Sequence, residues 1–258
     1  MNDKNFSIVT EAGGEPVSRA QIDRFVQRYL WAGSLCQGGD SLEVACGTGP
    51  GLGYLASVSR SLLAGDYSAE VLRAAVRHYG ERIPLIRLDG QSLPLAALSL
   101  DTVILFEAIY YIPDIGRFLA ECARVLRPGG KLLIATANRD LYDFNPSPFS
   151  VRYLNPPELD QALRDHGFSA QFFGGSPVNQ NSMFAHALRW VKRFAVRWNL
   201  IPGSMHGKRL LKRLVFGKLV LMPVELKQDN AIYEAPTPIN GSGPDRVHQV
   251  IYCVATKF

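Results

Sequence analysis

The run SLEVACGTGPG, residues 41–51, decides the fold: six largely apolar positions pass straight into three glycines at alternate sites, Gly47, Gly49 and Gly51. A short apolar run cut off by glycine reads as a buried strand followed by a sharp turn. Glycine is needed where a chain must take positive φ or let a ligand approach its backbone, and three at alternate positions exceed what an ordinary connection requires. The turn sits at the carboxyl end of the strand, where open α/β sheets bind their ligands.

Working outward, apolar runs alternate with helical periodicity. A helix begins near Leu52, then SLLAG at 61–65, a helix over 68–78, IPLIRLD at 83–89 and DTVILF at 101–106. A helix over 115–126, the turn RPGG at 127–130, KLLIATA at 131–137, a helix near 157–166 and GFSAQFF at 167–173 continue the pattern. Strands separated by helices imply an α/β fold, with a doubly wound, mostly parallel sheet covered on both faces. Upstream, residues 18–31 place Ile22, Phe25, Val26, Tyr29 and Leu30 on one face of a helix that Ser18 can cap, while 1–17 are polar. Downstream, HQVIYCVATKF at 248–258 reads as a closing strand, reached through an insertion whose stretch EAPTPINGSGPD at 234–245 reads as loop. The expected division is an N-terminal helical extension at 1–40, a core at 41–175, an insertion at 176–246 and a final core strand at 247–258.

The 258 residues are 47% hydrophobic, enough for a sizeable core, and carry a net charge of +5. Four scattered cysteines, Cys36, Cys46, Cys122 and Cys253, lie mostly in apolar stretches and read as reduced core residues. Nothing resembles a signal peptide or a bilayer-spanning run of roughly 20 apolar residues, so the chain reads as soluble and cytoplasmic. The histidines show no metal-ligand spacing, and no metal is expected. Basic residues concentrate in 186–218, where residues 183–199 form a basic amphipathic helix. That segment suits a lid, a peripheral membrane contact through 183–218, or a patch for an anionic substrate. Nucleic acid is disfavoured as a partner because no recognition motif accompanies the charge. Nothing fixes an oligomeric state.

Candidate site residues stand at the strand ends. Asp66 follows the second strand, where a carboxylate accepts hydrogen bonds from ribose hydroxyls; the competing reading is a helix cap, a role open to Ser68. Glu43, ionisable in a buried strand, needs partners, either the glycine loop and a ligand amino group or a facing helix. Asp89 and Gly90 suit an adenine amino group and ring, or form a plain turn. A nicotinamide dinucleotide is the alternative ligand, but GxGxxG counted from Gly47 ends on Leu52, and counted from Gly51 it falls inside the helix.

Five stretches in order, LEVACGTGPG, LLAGDYS, IRLDGQSLPL, DTVILFEAIYYIPD and RVLRPGGKLLIATAN, resemble the motifs of class I S-adenosylmethionine-dependent methyltransferases. The resemblance spans about residues 40–175 and implies a Rossmann-like sheet of seven strands, the last reversed. It implies S-adenosylmethionine as cofactor, held by Glu43, Ala45, Gly47, Thr48, Gly49, Asp66 and Tyr67, with Asp89 and Gly90 near the adenine. Phe106, Glu107 and Ala108 would lie beneath the methionine part. Ala45 departs from the family, which has glycine there, and alanine preserves the close approach only at negative φ. For a base, Tyr110, Tyr111 and Asp114 after the fourth strand, or His186 and His206 in the insertion, are the candidates. Asn155-Pro156-Pro157-Glu158 is similar to the NPPY motif of nucleic-acid amino-methylating enzymes but lies after the wrong strand, and a helix cap explains it. SPFSVRYLNPPEL at 147–159 and KRLLKRLVFGK at 208–218 are similar to segments of methyltransferases encoded with polysaccharide or natural-product assembly genes. The function this implies is O-methylation of a small-molecule acceptor, a sugar or other hydroxylated metabolite. N- or C-methylation, or action on a lipid-linked glycan at a membrane surface, are the alternatives.

Overall fold

The structure is a computed structural model that describes residues 6–142, 144–178 and 219–258. Its elements in chain order begin with β1 (Pro16–Ser18), α1 (Arg19–Leu35), β2 (Asp40–Val44), α2 (Leu52–Val58), β3 (Ser61–Asp66), α3 (Ala69–Tyr79) and β4 (Leu85–Arg87). Then come β5 (Leu100–Phe106), α4 (Ile115–Val125), β6 (Leu126–Ala137), α5 (Pro156–Asp165), β7 (Phe168–Pro177), β8 (Leu219–Leu221), β9 (Thr237–Ile239) and β10 (His248–Lys257). The main sheet has the order β4-β3-β2-β5-β6-β10-β7-β9. Its first five strands run parallel, and β10 inserts antiparallel between β6 and β7. Strand order reverses between β2 and β5, which makes the carboxyl ends of these two strands the natural crevice of the sheet.

Alternation along the strands produces two cores. Val103 and Leu105 of β5 face a layer with Phe118 and Leu119 of α4 and Leu163 of α5, while Ile104 and Phe106 face α1, α2 and α3. Leu42, Ile104, Leu105 and Leu132 are fully buried, and each such side chain stabilises the fold by roughly 1.5–3 kcal/mol. The four cysteines are free and buried. Caps behave as their residue types require. Ser18 and Gln21 form a reciprocal capping box on α1, Asn155 and Glu158 do the same on α5, and Ser68 caps α3. The proline pair after Asn155 therefore starts a helix.

Two expectations are corrected. The stretch 234–245 is not all loop: Thr237–Ile239 pairs with Phe172–Gly174 as an eighth strand, and its proline is tolerated because the strand lies at the sheet edge. RPGG does not separate helix from strand. Leu126 already pairs with Leu100, the chain bulges over 127–130 with Gly129 at φ 74°, and pairing resumes at Lys131 opposite Thr102. Ahead of α1, β1 pairs antiparallel with β8 of the insertion in a separate two-stranded ribbon.

Candidate active site

A cavity of about 680 Å³ opens at the carboxyl ends of β2, β3 and β5. Its floor is the turn after β2. Gly47 and Gly49 take φ of 61° and 79°, values that only glycine adopts freely. The amide of Gly47 donates to Asp66 Oδ2 at 2.9 Å, and Tyr79 of α3 donates its hydroxyl to Gly49 O at 2.7 Å. Ala45 sits at φ 57° and not at the negative φ that would spare it strain; a left-handed alanine costs roughly 1–2 kcal/mol. Glu107, at the end of β5, is also left-handed at φ 49°. Sparsely populated conformations of this kind concentrate at functional sites.

Five carboxyl groups face the cavity, from Glu11, Glu43, Asp66, Asp89 and Glu107, against two guanidinium groups, from Arg24 and Arg28. Asp66 does not cap α3. Its Oδ1 accepts from the Ser68 amide at 2.8 Å, its Oδ2 is held by Gly47, and burial raises its pKa. A carboxylate has about four acceptor sites, so roughly two remain for hydroxyls in the cavity. Asp89 takes the Gln91 amide at 2.9 Å, the plain-turn geometry, while it and Gly90 line the wall. A Cβ on Gly90 would press on Phe118 at 3.1 Å. Glu43 is 1% exposed; Oε1 accepts the Tyr29 hydroxyl of α1 at 2.7 Å, and Oε2 is buried without a partner. Burial pushes its carboxyl up to about 8. Glu107 accepts from Tyr110 Oη at 3.2 Å, and burial raises its pKa too.

Thr48, Tyr67, Phe106 and Ala108 also line the cavity. Tyr111 lines it, with its hydroxyl 2.5 Å from Ser147 Oγ; burial pushes the Tyr110 and Tyr111 hydroxyls up. Asp114 stands apart as the N-cap of α4, accepting from the Arg117 amide at 2.9 Å. His186, His206 and the basic helix lie outside the described residues. The described part of 176–246 contributes no lining residue. It clamps the outside of the glycine turn instead, where Leu226 N donates to Pro50 O and Glu225 bonds His78 and Arg82.

What the sequence did not reveal is the roof. Phe6, Val9, Thr10 and Glu11 cross the cavity, and Thr48 Oγ1 donates to Glu11 O at 3.1 Å. Phe6 packs edge-on against Tyr111 and Phe149. Arg24, Phe25, Arg28 and Tyr29 add one face of α1. One signal was present: Arg28 falls on the stripe of Phe25, Tyr29 and Ala32, where a charge needs a partner.

The orphaned Glu43 oxygen, the left-handed glycines and the spare acceptor sites of Asp66 fit S-adenosylmethionine, whose ammonium, backbone-close methionine part and ribose need them. The excess of carboxyl groups also suits a ligand that carries net positive charge and repels the diphosphate of a dinucleotide. Residues 42–134 match the methyltransferase domain family model. A probable S-adenosylmethionine-dependent methyltransferase of Mycobacterium tuberculosis is 39% identical over 171 residues, covering 63% of this chain and 62% of that protein. The O-methyltransferase cnsE of Penicillium expansum is 32% identical over 152 residues, covering 52% and 54%. The chain thus aligns with less than two thirds of the length of either relative. In fold it resembles an S-adenosylmethionine-dependent methyltransferase of Thermotoga maritima, with a TM-score of 0.57 over 92% of both chains at 18% identity. Domain match and relatives agree that residues 42–134 carry a methyltransferase domain, and the cavity built on it fits S-adenosylmethionine.

Proposed function

We propose that the protein transfers a methyl group from S-adenosylmethionine to a hydroxyl of a small molecule with an apolar, partly aromatic body. The observation that carries this reading is the continuity of one cavity from the cofactor residues to a wall of Phe6, Phe25, Tyr110 and Tyr111. An aromatic wall recognises an apolar body, and it leaves the polar part of a ligand to the charged groups elsewhere in the cavity. The name of the Penicillium expansum relative adds oxygen as the acceptor atom.

Bound S-adenosylmethionine supplies an already activated methyl carbon, so alignment of the acceptor does much of the catalysis. The chain's own contribution is to hold the ribose on Asp66, wall the acceptor against Tyr110 and Tyr111, and exclude water beneath the N-terminal roof. The tyrosine hydroxyls, with pKa values raised by burial, stay protonated and act as donors. Glu107 and Glu11 are the cavity carboxylates able to receive the hydroxyl proton. The test is incubation of the protein and methyl-labelled cofactor with two panels, hydroxylated aromatic metabolites and free sugars. Label recovered as an aryl or alkyl methyl ether in the first panel supports the reading. Label recovered only in sugars, or only on nitrogen or carbon, contradicts it.

A further inference from the structure

S-adenosylmethionine has two positive centres, the sulfonium and the α-ammonium, and one negative one, the α-carboxylate. Where they are ionised, the carboxyl groups of the cavity suit the first two and repel the third. A carboxylate brought into that field needs a cation of its own. We propose that Arg28, backed by Arg24, is the anion subsite that receives the α-carboxylate of the cofactor.

The placement follows from how α1 docks. Tyr29 bonds Glu43 on β2, and this fixes the preceding residue beside the end of β5, where Arg28 Nη1 lies 3.8 Å from Glu107 Oε1. That spacing exceeds hydrogen-bond reach, so the pair is coulombic only. Among the described residues, the hydrogen bond its guanidinium donates is from Nε to Arg24 O, at 3.4 Å. The Phe25 ring covers one face at 4.6 Å. Its two terminal nitrogens therefore keep donors for a ligand, although the residue is only 8% exposed. Burial opposes the charge of Arg28, and Glu107 sustains it. Arg24, one turn earlier, faces the same cavity and has its pKa lowered by burial and then by Arg28. Two cations held this close gain from an anion placed between them. A planar guanidinium whose two terminal nitrogens keep N–H donors side by side matches a carboxylate in a paired geometry that an ammonium cannot reproduce.

A carboxylate on the acceptor is the other source of such an anion, and the choice of ligands separates the two. The probes are S-adenosylmethionine and its decarboxylated analogue, which keeps the sulfonium and the amine, each titrated by calorimetry without any acceptor. In the unsubstituted protein the decarboxylated analogue is expected to bind more weakly. Arg28→Met should weaken S-adenosylmethionine by about ten- to a hundredfold, the range for losing charge-assisted hydrogen bonds, and leave the analogue within about twofold. Arg28→Lys keeps the charge without the fork, and is expected to fall between, again only for the carboxylated ligand. Because the analogue reports on a folded site, a merely destabilising substitution would show as loss of both ligands. Equal weakening of both in Arg28→Met and Arg28→Lys, or unchanged affinity for S-adenosylmethionine, overturns the assignment. Failure of the unsubstituted protein to bind either ligand would overturn the cofactor reading itself.

Discussion

Glu43 is the residue at which burial, charge and ligand meet. Its folded pKa of about 8 lies well above the ordinary carboxylate range, because burial disfavours the charge. Between that range and about 8 the folded state holds a proton that the unfolded chain has released. Stability of the ligand-free protein should therefore fall as pH rises through this window and level off above it. A ligand ammonium reverses the preference by favouring the carboxylate. Affinity for S-adenosylmethionine should then rise with pH up to about 8, and binding near neutral pH should release protons, which calorimetry in buffers of different ionisation heat detects. Glu43→Gln should flatten the profile; a flat profile in the unsubstituted protein would contradict the role. Asp66→Ala should weaken the cofactor by roughly 1–3 kcal/mol, since ribose hydroxyls lose charge-assisted bonds in a desolvated site. At Ala45 the strain is relieved by glycine, less the entropy glycine adds to the unfolded chain. Ala45→Gly should accordingly raise stability by about 0.5–1 kcal/mol in urea unfolding. The positions at strand ends, Gly47, Asp66 and Asp89, were legible in the sequence because a sheet delivers its carboxyl ends to one crevice. The φ of Ala45 was not, because it is set by the loop's hydrogen bonds and not by the residue type.

Elements with several turns or full alternation were equally legible. α1 and α3 bury one periodic face each with local caps at Ser18 and Ser68, and β5 is a continuous apolar run buried on both faces. β1, β8 and β9 have three residues each, and their pairing joins segments distant in sequence that no periodicity connects. The roof was hidden for the same reason. Residues 6–11 have no amphipathic pattern and acquire their place through β1–β8 pairing and the Thr48 bond to Glu11. As a cover held partly by Phe6 against Tyr111 and Phe149, the segment should control release of the cofactor. Phe6→Ala removes two aromatic contacts, worth about tenfold in the release rate. Stopped-flow displacement of S-adenosylhomocysteine measures it, and a rate within about twofold of the unsubstituted protein would assign the roof a purely structural role.

At the scale of the molecule, the crevice between β2 and β5 is shared by all doubly wound sheets and does not by itself choose a ligand. The choice lies in the charge around it: five carboxyl groups against two guanidiniums, three of them supplied by the N-terminal segment and α1. Among the described residues, no helix is long and apolar enough to cross a membrane. The most direct test is thermal unfolding of the purified protein with increasing S-adenosylmethionine or, separately, NAD. A ligand that binds only the folded state adds about 2.7 kcal/mol at a hundred times its dissociation constant. The expected result is a rise in melting temperature with S-adenosylmethionine and none with NAD. A rise with NAD alone would contradict the assignment of the cavity.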